Sequence, residues 1–210
     1  MSTRVPPPLV ELAGSLFSAA APPLGAEPAE PVRRDLGRGA WVDHAADWLP
    51  DSDDLFFGLI RHVPWASHEQ VMYDHVVTQP RLSAAADPAM LPGWVGERLG
   101  GIGAWLSHHY ARELSEPWVN LYRDGADSVA WHGDRIGRDR SDAIVIIVSL
   151  GERRTFLLRP AGGGPSHRWM LGRGDLLVMG GTAQRTFQHC VPKRRARTGP
   201  RISITWRWSA

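Results

Sequence analysis

A chain of 210 residues with a single cysteine has the length of one domain, or of one domain with an N-terminal extension, and cannot form an internal disulfide. Its net charge is only +2, yet residues 151–210 carry eleven Arg and one Lys against Glu152 and Asp175, which makes that segment +10 and leaves −8 on the first 150. No apolar run approaches the roughly 20 residues that a helix needs to span a bilayer, so no membrane association by spanning helices is expected.

The lone cysteine suits a reducing, cytoplasmic setting. The proline-crowded start, "MSTRVPPPLVELAGSLFSAAAPPLGAEP", does not read as a secretory signal. The charge asymmetry fits a polyanionic partner or a simple bias toward arginine, since the chain has one lysine.

Residues 1–40 are rich in Pro, Ala and Gly without sustained periodicity and read as a partly disordered lead-in with one short helix. "DSDDLFFGLIRHVPW" (51–65) predicts a helix capped by Asp51 or Ser52 and ended by Pro64. "EQVMYDHVVTQPRL" (69–82) is β-rich around 71–77, and a loop follows through Pro92. In "PGWVGERLGGIGAWLSHHYAREL" (92–114), Val95, Leu99, Ile102 and Leu106 recur at helical spacing and define one buried face.

Beyond Pro117 the period changes to two. Strands are predicted at 118–122, 129–134, 143–150, 155–159, 168–171, 175–179, 186–189 and 201–208, separated by turns such as "RDGAD", "GER" and "GRGD". "AIVIIVSL" is apolar throughout, as a strand covered on both faces would be. Helices first and short strands later give an α+β protein built around a β-sandwich or jelly roll.

"AWHGD" places His132 and Asp134 on one side of an extended chain. Such a pair makes a salt bridge, an incidental surface pair, or two thirds of a metal site. "FQHCVP" offers His189 as a third ligand, and two imidazoles with one carboxylate suit a non-haem Fe(II) centre with open positions. The last strand, "RISITWR", carries Arg201, Ser203, Thr205 and Arg207 on one face and Ile202, Ile204 and Trp206 on the other. Arginines on an otherwise buried strand need anions, and their planar forks match a dicarboxylate. Asn120 and Tyr122 of "NLY" also share a face and can donate hydrogen bonds. The basic run "KRRAR" (193–197) either tracks phosphates or is a solvated loop.

Taken in order, Asn120-x-Tyr122, His132-x-Asp134, His189 and the Arg201/Arg207 pair resemble the AlkB family of Fe(II)- and 2-oxoglutarate-dependent dioxygenases. "LYRDGADSVAWHGD", "VSLGERRTFLLRP" and "GDLLVMGG" carry the resemblance over residues 115–208, and "VPW" and "PRL" extend it loosely toward residue 60. It implies a double-stranded β-helix (jelly-roll) core at 116–210, with helical support and a substrate lid at 41–115. It also implies iron on His132, Asp134 and His189. The distal carboxylate of 2-oxoglutarate would meet Arg201, helped by Asn120, Tyr122 and Ser203, with Arg207 near the iron-side carboxylate. With O2, the family's repair members oxidise an N-methyl on a nucleic-acid base and release formaldehyde. Nucleic acid is therefore the expected partner and a monomer the expected state.

Candidate substrate contacts on the same basis are Trp65, Tyr73, Arg135, Ile136 and Arg168. Two features depart from the family's repair pattern. Ile136 stands where an acidic residue usually meets the flipped base, and "SAAADPAML" stands where lid tyrosines are common. The alternatives are the same iron core acting on a substrate other than nucleic acid, or a catalytically silent nucleic-acid binder using the basic C-terminal segment.

Overall fold

The computed structural model of the chain describes residues 3–4, 28–72, 75–137 and 142–208. In chain order the elements are β1 (Thr3–Arg4), β2 (Val32–Gly37), β3 (Ala40–Ala45), α1 (Ser52–His62), β4 (Ala66–Met72), β5 (His75–Ala85), α2 (Gly93–Tyr110) and β6 (Trp118–Tyr122). Then follow β7 (Val129–His132), β8 (Val145–Gly151), β9 (Arg154–Pro160), β10 (His167–Leu171), β11 (Asp175–Gly181), α3 (Ala183–Thr186), β12 (Phe187–Val191) and β13 (Arg201–Arg207). The strands form two antiparallel sheets: a nine-stranded one in the order β1-β4-β5-β6-β13-β8-β11-β3-β2 and a four-stranded one in the order β10-β9-β12-β7.

β8 shows why the sheets stack as they do. Its run of apolar residues is buried from end to end. Val148 and Leu150 pack with the helices, whereas Val145 and Ile147 pack with Phe156 and Leu158 of the smaller sheet. The larger sheet is thus covered behind by α1 and α2 and in front by the smaller sheet, the layering of a jelly roll. α2 turns Val95, Leu99, Ile102 and Leu106 inward with none of them exposed, the face that its spacing predicts. β13 likewise divides: Ile202, Ile204 and Trp206 enter the helix-side core, and the alternate residues line the space between the sheets.

Two local expectations differ. Asp51 takes the left-handed conformation, φ 54°, and makes no side-chain capping bond, so α1 starts without the predicted cap. The strands do not wait for residue 116: β2 and β3 precede the first helix, and β4 and β5 form a hairpin after it. β3 pairs with β11 along its whole length, with Ala40 opposite Gly181. β3, "AWVDHA", is short and mixes polar with apolar residues without strict alternation, and its partner lies far along the chain. No helix among the described residues is long and apolar enough to cross a membrane.

Candidate active site

β7 and β12 build the centre of the site. They are neighbours in the smaller sheet, with His132 directly opposite His189. The two rings lie 4.2 Å apart, centroid to centroid. Asp134 follows after one residue, Gly133, whose absent side chain matters: a Cβ there would lie 2.8 Å from the Gln184 carbonyl oxygen. Ligand atoms of His132, Asp134 and His189 all fall within 4.8 Å of one another. Side chains from two strands and the turn beyond one of them therefore converge on one point.

Their protonation states suit ligation. His132 Nδ1 lies 2.8 Å from the Ala130 carbonyl oxygen, which can only accept, so the ring proton sits there and Nε2 keeps its lone pair. That Nε2 is 3.9 Å from Asp134 Oδ1. Burial, with the neighbouring His132, pushes the His189 imidazole down to about 3, so it is neutral at physiological pH. Phe156 stacks on it at 5.5 Å. Burial acts to raise Asp134, but Arg207 and the two imidazoles outweigh it and hold the carboxyl below its ordinary value. Arg207 donates to both carboxylate oxygens, at 3.3 and 3.4 Å, and the Asp134 backbone N–H donates to Gln184 Oε1 at 3.0 Å. Two imidazoles, that of His189 neutral, and one ionised carboxylate form a donor set that fits Fe(II).

The other end of the site asks for an anion. Arg201 is 1% exposed, and its Nη2 donates to Ser149 Oγ at 2.6 Å. Its Nε and Nη1 are buried with no partner. Burial lowers the guanidinium to about 10, which leaves it a cation at neutral pH. The Tyr122 ring lies beside it, 5.3 Å away. A buried cation with two unanswered donor nitrogens is costly until a carboxylate meets it. A pocket of about 370 Å3 joins this end to the His–Asp–His trio, with Asn120 and Ser203 between them. Asn120 Oδ1 accepts from Arg81 Nε at 3.0 Å, which orients its amide.

Of the candidate substrate contacts, Arg135 lines the pocket. Trp65 does not: it is buried in the helix-side core, and its indole N–H donates to the Ile60 carbonyl at 3.3 Å. Ile136 does not line the pocket: partly buried in the short helical turn after Asp134, it packs against the apolar cluster between the sheets. Arg168 sits exposed on the edge strand β10, outside the pocket, beside Thr155. Tyr73 lies outside the described residues. Sequence reasoning missed Arg81, Trp118 and Gln184. Trp118 was within reach, since it alternates with Asn120 and Tyr122 and must share their face. Gln184 left no signal, because only the tertiary fold carries α3 to the Asp134 turn.

The description "2OG-Fe(II) oxygenase superfamily" matches residues 106–207, which include the trio, both arginines and the strands that hold them. Alpha-ketoglutarate-dependent dioxygenase alkB homolog 3 of Bos taurus is 29% identical over 194 residues, 76% of this chain and 62% of the relative. The chain is similar to members of the AlkB family. DNA oxidative demethylase ALKBH2 of Arabidopsis thaliana is a further AlkB relative, 26% identical over 213 residues, 82% of this chain and 68% of its own length. The chain thus spans about three fifths of the alkB homolog 3 relatives that it matches. A prolyl hydroxylase from Trichoplax adhaerens, solved with a peptide of the hypoxia inducible factor oxygen degradation domain, has a similar fold at TM-score 0.61 and 11% identity, covering 80% of this chain and 82% of that one.

Proposed function

We propose that the chain is an Fe(II)- and 2-oxoglutarate-dependent dioxygenase that removes N-methyl groups from alkylated nucleic-acid bases by oxidation. The observation that carries the reading is one pocket holding both a three-ligand cluster and a buried arginine with two unanswered donors. His132 Nε2, His189 and Asp134 would hold the ion, and Arg201 would pair with the distal carboxylate of 2-oxoglutarate. Bound iron and 2-oxoglutarate, with O2, supply the oxidation, giving succinate, CO2 and a hydroxymethyl group that leaves as formaldehyde.

The rest of the work falls to the chain's own groups. Arg207 keeps Asp134 ionised and fixes its two oxygens. The Ala130 carbonyl fixes the His132 tautomer. Asn120 and Tyr122 present donors along the pocket floor, and Ser149 sets the tilt of Arg201. Arg81 and Arg135 give the lining positive charge, which suits a phosphate-bearing substrate. Names that include "DNA oxidative demethylase" among the relatives support the same substrate class. A methylated base in a duplex must leave the stack to reach such a pocket, and lesions that break pairing lower that cost. A monomer suffices, because every group named comes from one chain.

The test is Fe(II)-loaded protein with 2-oxoglutarate, O2 and oligonucleotides carrying 1-methyladenine or 3-methylcytosine. Succinate and repaired base appear together if the reading holds. Succinate without repair moves the substrate to another class. Salt-sensitive oligonucleotide binding with no succinate at all would instead mark a silent binder.

A further inference from the structure

Strand register orders the pocket floor from a closed end to an open one. Tyr122 lies opposite Arg201, Asn120 opposite Ser203 and Trp118 opposite Thr205. Arg207 comes next on the same face of β13 and reaches Asp134. Tyr122 and Arg201 are 4% and 1% exposed, whereas Trp118 is 36% exposed. Trp118 therefore stands at the mouth, on the same end as the ligand cluster.

Four large apolar side chains are exposed among the described residues, namely Val32, Met90, Trp118 and Met170, and of these Trp118 alone lines the pocket. Its position is rigid. Val119 and Leu121, its neighbours along β6, are fully buried, and β6 is hydrogen-bonded on both sides, to β5 and β13. On the β5 side it faces only Ala85, which is exposed and puts no bulk across from the indole. The His68 ring lies 5.9 Å away, tilted by 50°. An indole fixed by its strand but uncovered at a pocket mouth is a surface for a flat ring.

Charge narrows the ring. Arg81, Arg135, Arg201 and Arg207 line the pocket, and Asp134, already engaged by Arg207, is the one carboxylate among the described lining residues. Ile136 lies outside the lining, partly buried against the core. No free carboxylate of the described lining therefore remains to accept from an exocyclic amine.

We propose that Trp118 is the platform on which the methylated base stacks, so that this pocket selects its base by ring face and flanking phosphate rather than by a carboxylate reading the amine. The assignment rests on the nucleic-acid reading above. Stacking accepts any base, so 1-methyladenine and 3-methylcytosine are bound alike.

The experiment compares wild type, Trp118→Phe and Trp118→Ala on single-stranded oligonucleotides carrying either lesion. Repair kinetics, 2-oxoglutarate consumption without oligonucleotide, and anisotropy of a labelled methylated oligonucleotide on metal-free protein are measured. Trp118→Ala raises KM for both lesions about tenfold or more and weakens metal-free binding by a similar factor. Trp118→Phe stays within about threefold of wild type, as an aromatic replacement should. The KM for 2-oxoglutarate is unchanged in both. Wild-type KM and binding in Trp118→Ala overturn the proposal, as does a loss confined to one lesion. So does a fall in 2-oxoglutarate consumption in both variants, which marks the residue as structural. If wild type itself consumes 2-oxoglutarate but repairs neither lesion, the substrate reading fails first, a result visible without any variant.

Discussion

Replacing Arg201 by Met tests the chemistry most directly. The side chain is 1% exposed, with Nε and Nη1 unanswered and Nη2 on Ser149. Methionine keeps the length and removes the charge. Without ligand, the variant loses one neutral partner and one buried cation, and the two effects roughly offset, as replacements of buried charges by apolar groups often do. With 2-oxoglutarate, it loses two charge-assisted hydrogen bonds of about 1.5–3 kcal/mol each, or at least about a hundredfold in affinity. Thermal unfolding reads both states with Mn(II) in place of iron. At 2-oxoglutarate a hundred times the wild-type Kd, wild type gains about 2.7 kcal/mol, which for a chain of this size is about 5–10 °C in Tm. At the same concentration the variant gains about 0.4 kcal/mol or less, near 1 °C. A full ligand-induced shift in Arg201→Met would refute the placing of the dicarboxylate. A Tm without ligand far below wild type would refute the argument that the cation awaits a partner.

Asp134→Ala removes the only carboxylate of the ligand trio, and 2-oxoglutarate turnover falls to background, measured as succinate formed under saturating Fe(II). Gln184→Ala leaves the Asp134 N–H without its partner, which costs about 1–3 kcal/mol in urea unfolding. It also weakens Mn(II) binding about 10- to 100-fold, since groups that orient a ligand contribute to its affinity. Cys190 is 4% exposed and burial pushes its thiol up to about 11, so the thiolate is scarce at pH 8. Its reaction with a disulfide reagent at pH 8 should be slow in native protein, rise as pH approaches 11, and become rapid in denaturant. A fast native reaction at pH 8 would contradict the burial.

The site was more legible in the sequence than the frame that carries it. Period-two alternation is a local signal, and it placed Arg201, Ser203 and Arg207 on one side of β13 and Ile202 and Ile204 on the other, as the structure has them. Helical spacing did the same for the buried face of α2. What stayed hidden was set by distant contacts. β3 is recognisable through its pairing with β11 rather than through its own residues. The direction of Ile136 depends on a helical turn of three residues that no periodicity announces. Trp65 stands between the end of α1 and β4, and its ring goes to the helix-side core. Asp51 carries the letters of a cap, but its left-handed backbone turns the side chain from the helix N–H groups.

His132 and His189 are cross-strand partners, tied by the same ladder that closes the smaller sheet. The backbone positions of both ligands are thus set by the sheet before any ion arrives. Affinity at such a nitrogen and oxygen site should follow the general order Mn(II) < Fe(II) < Co(II) < Ni(II), so Co(II) and Ni(II), where present, would displace ferrous iron. Which ion fills the protein is then decided by what the surrounding solution offers.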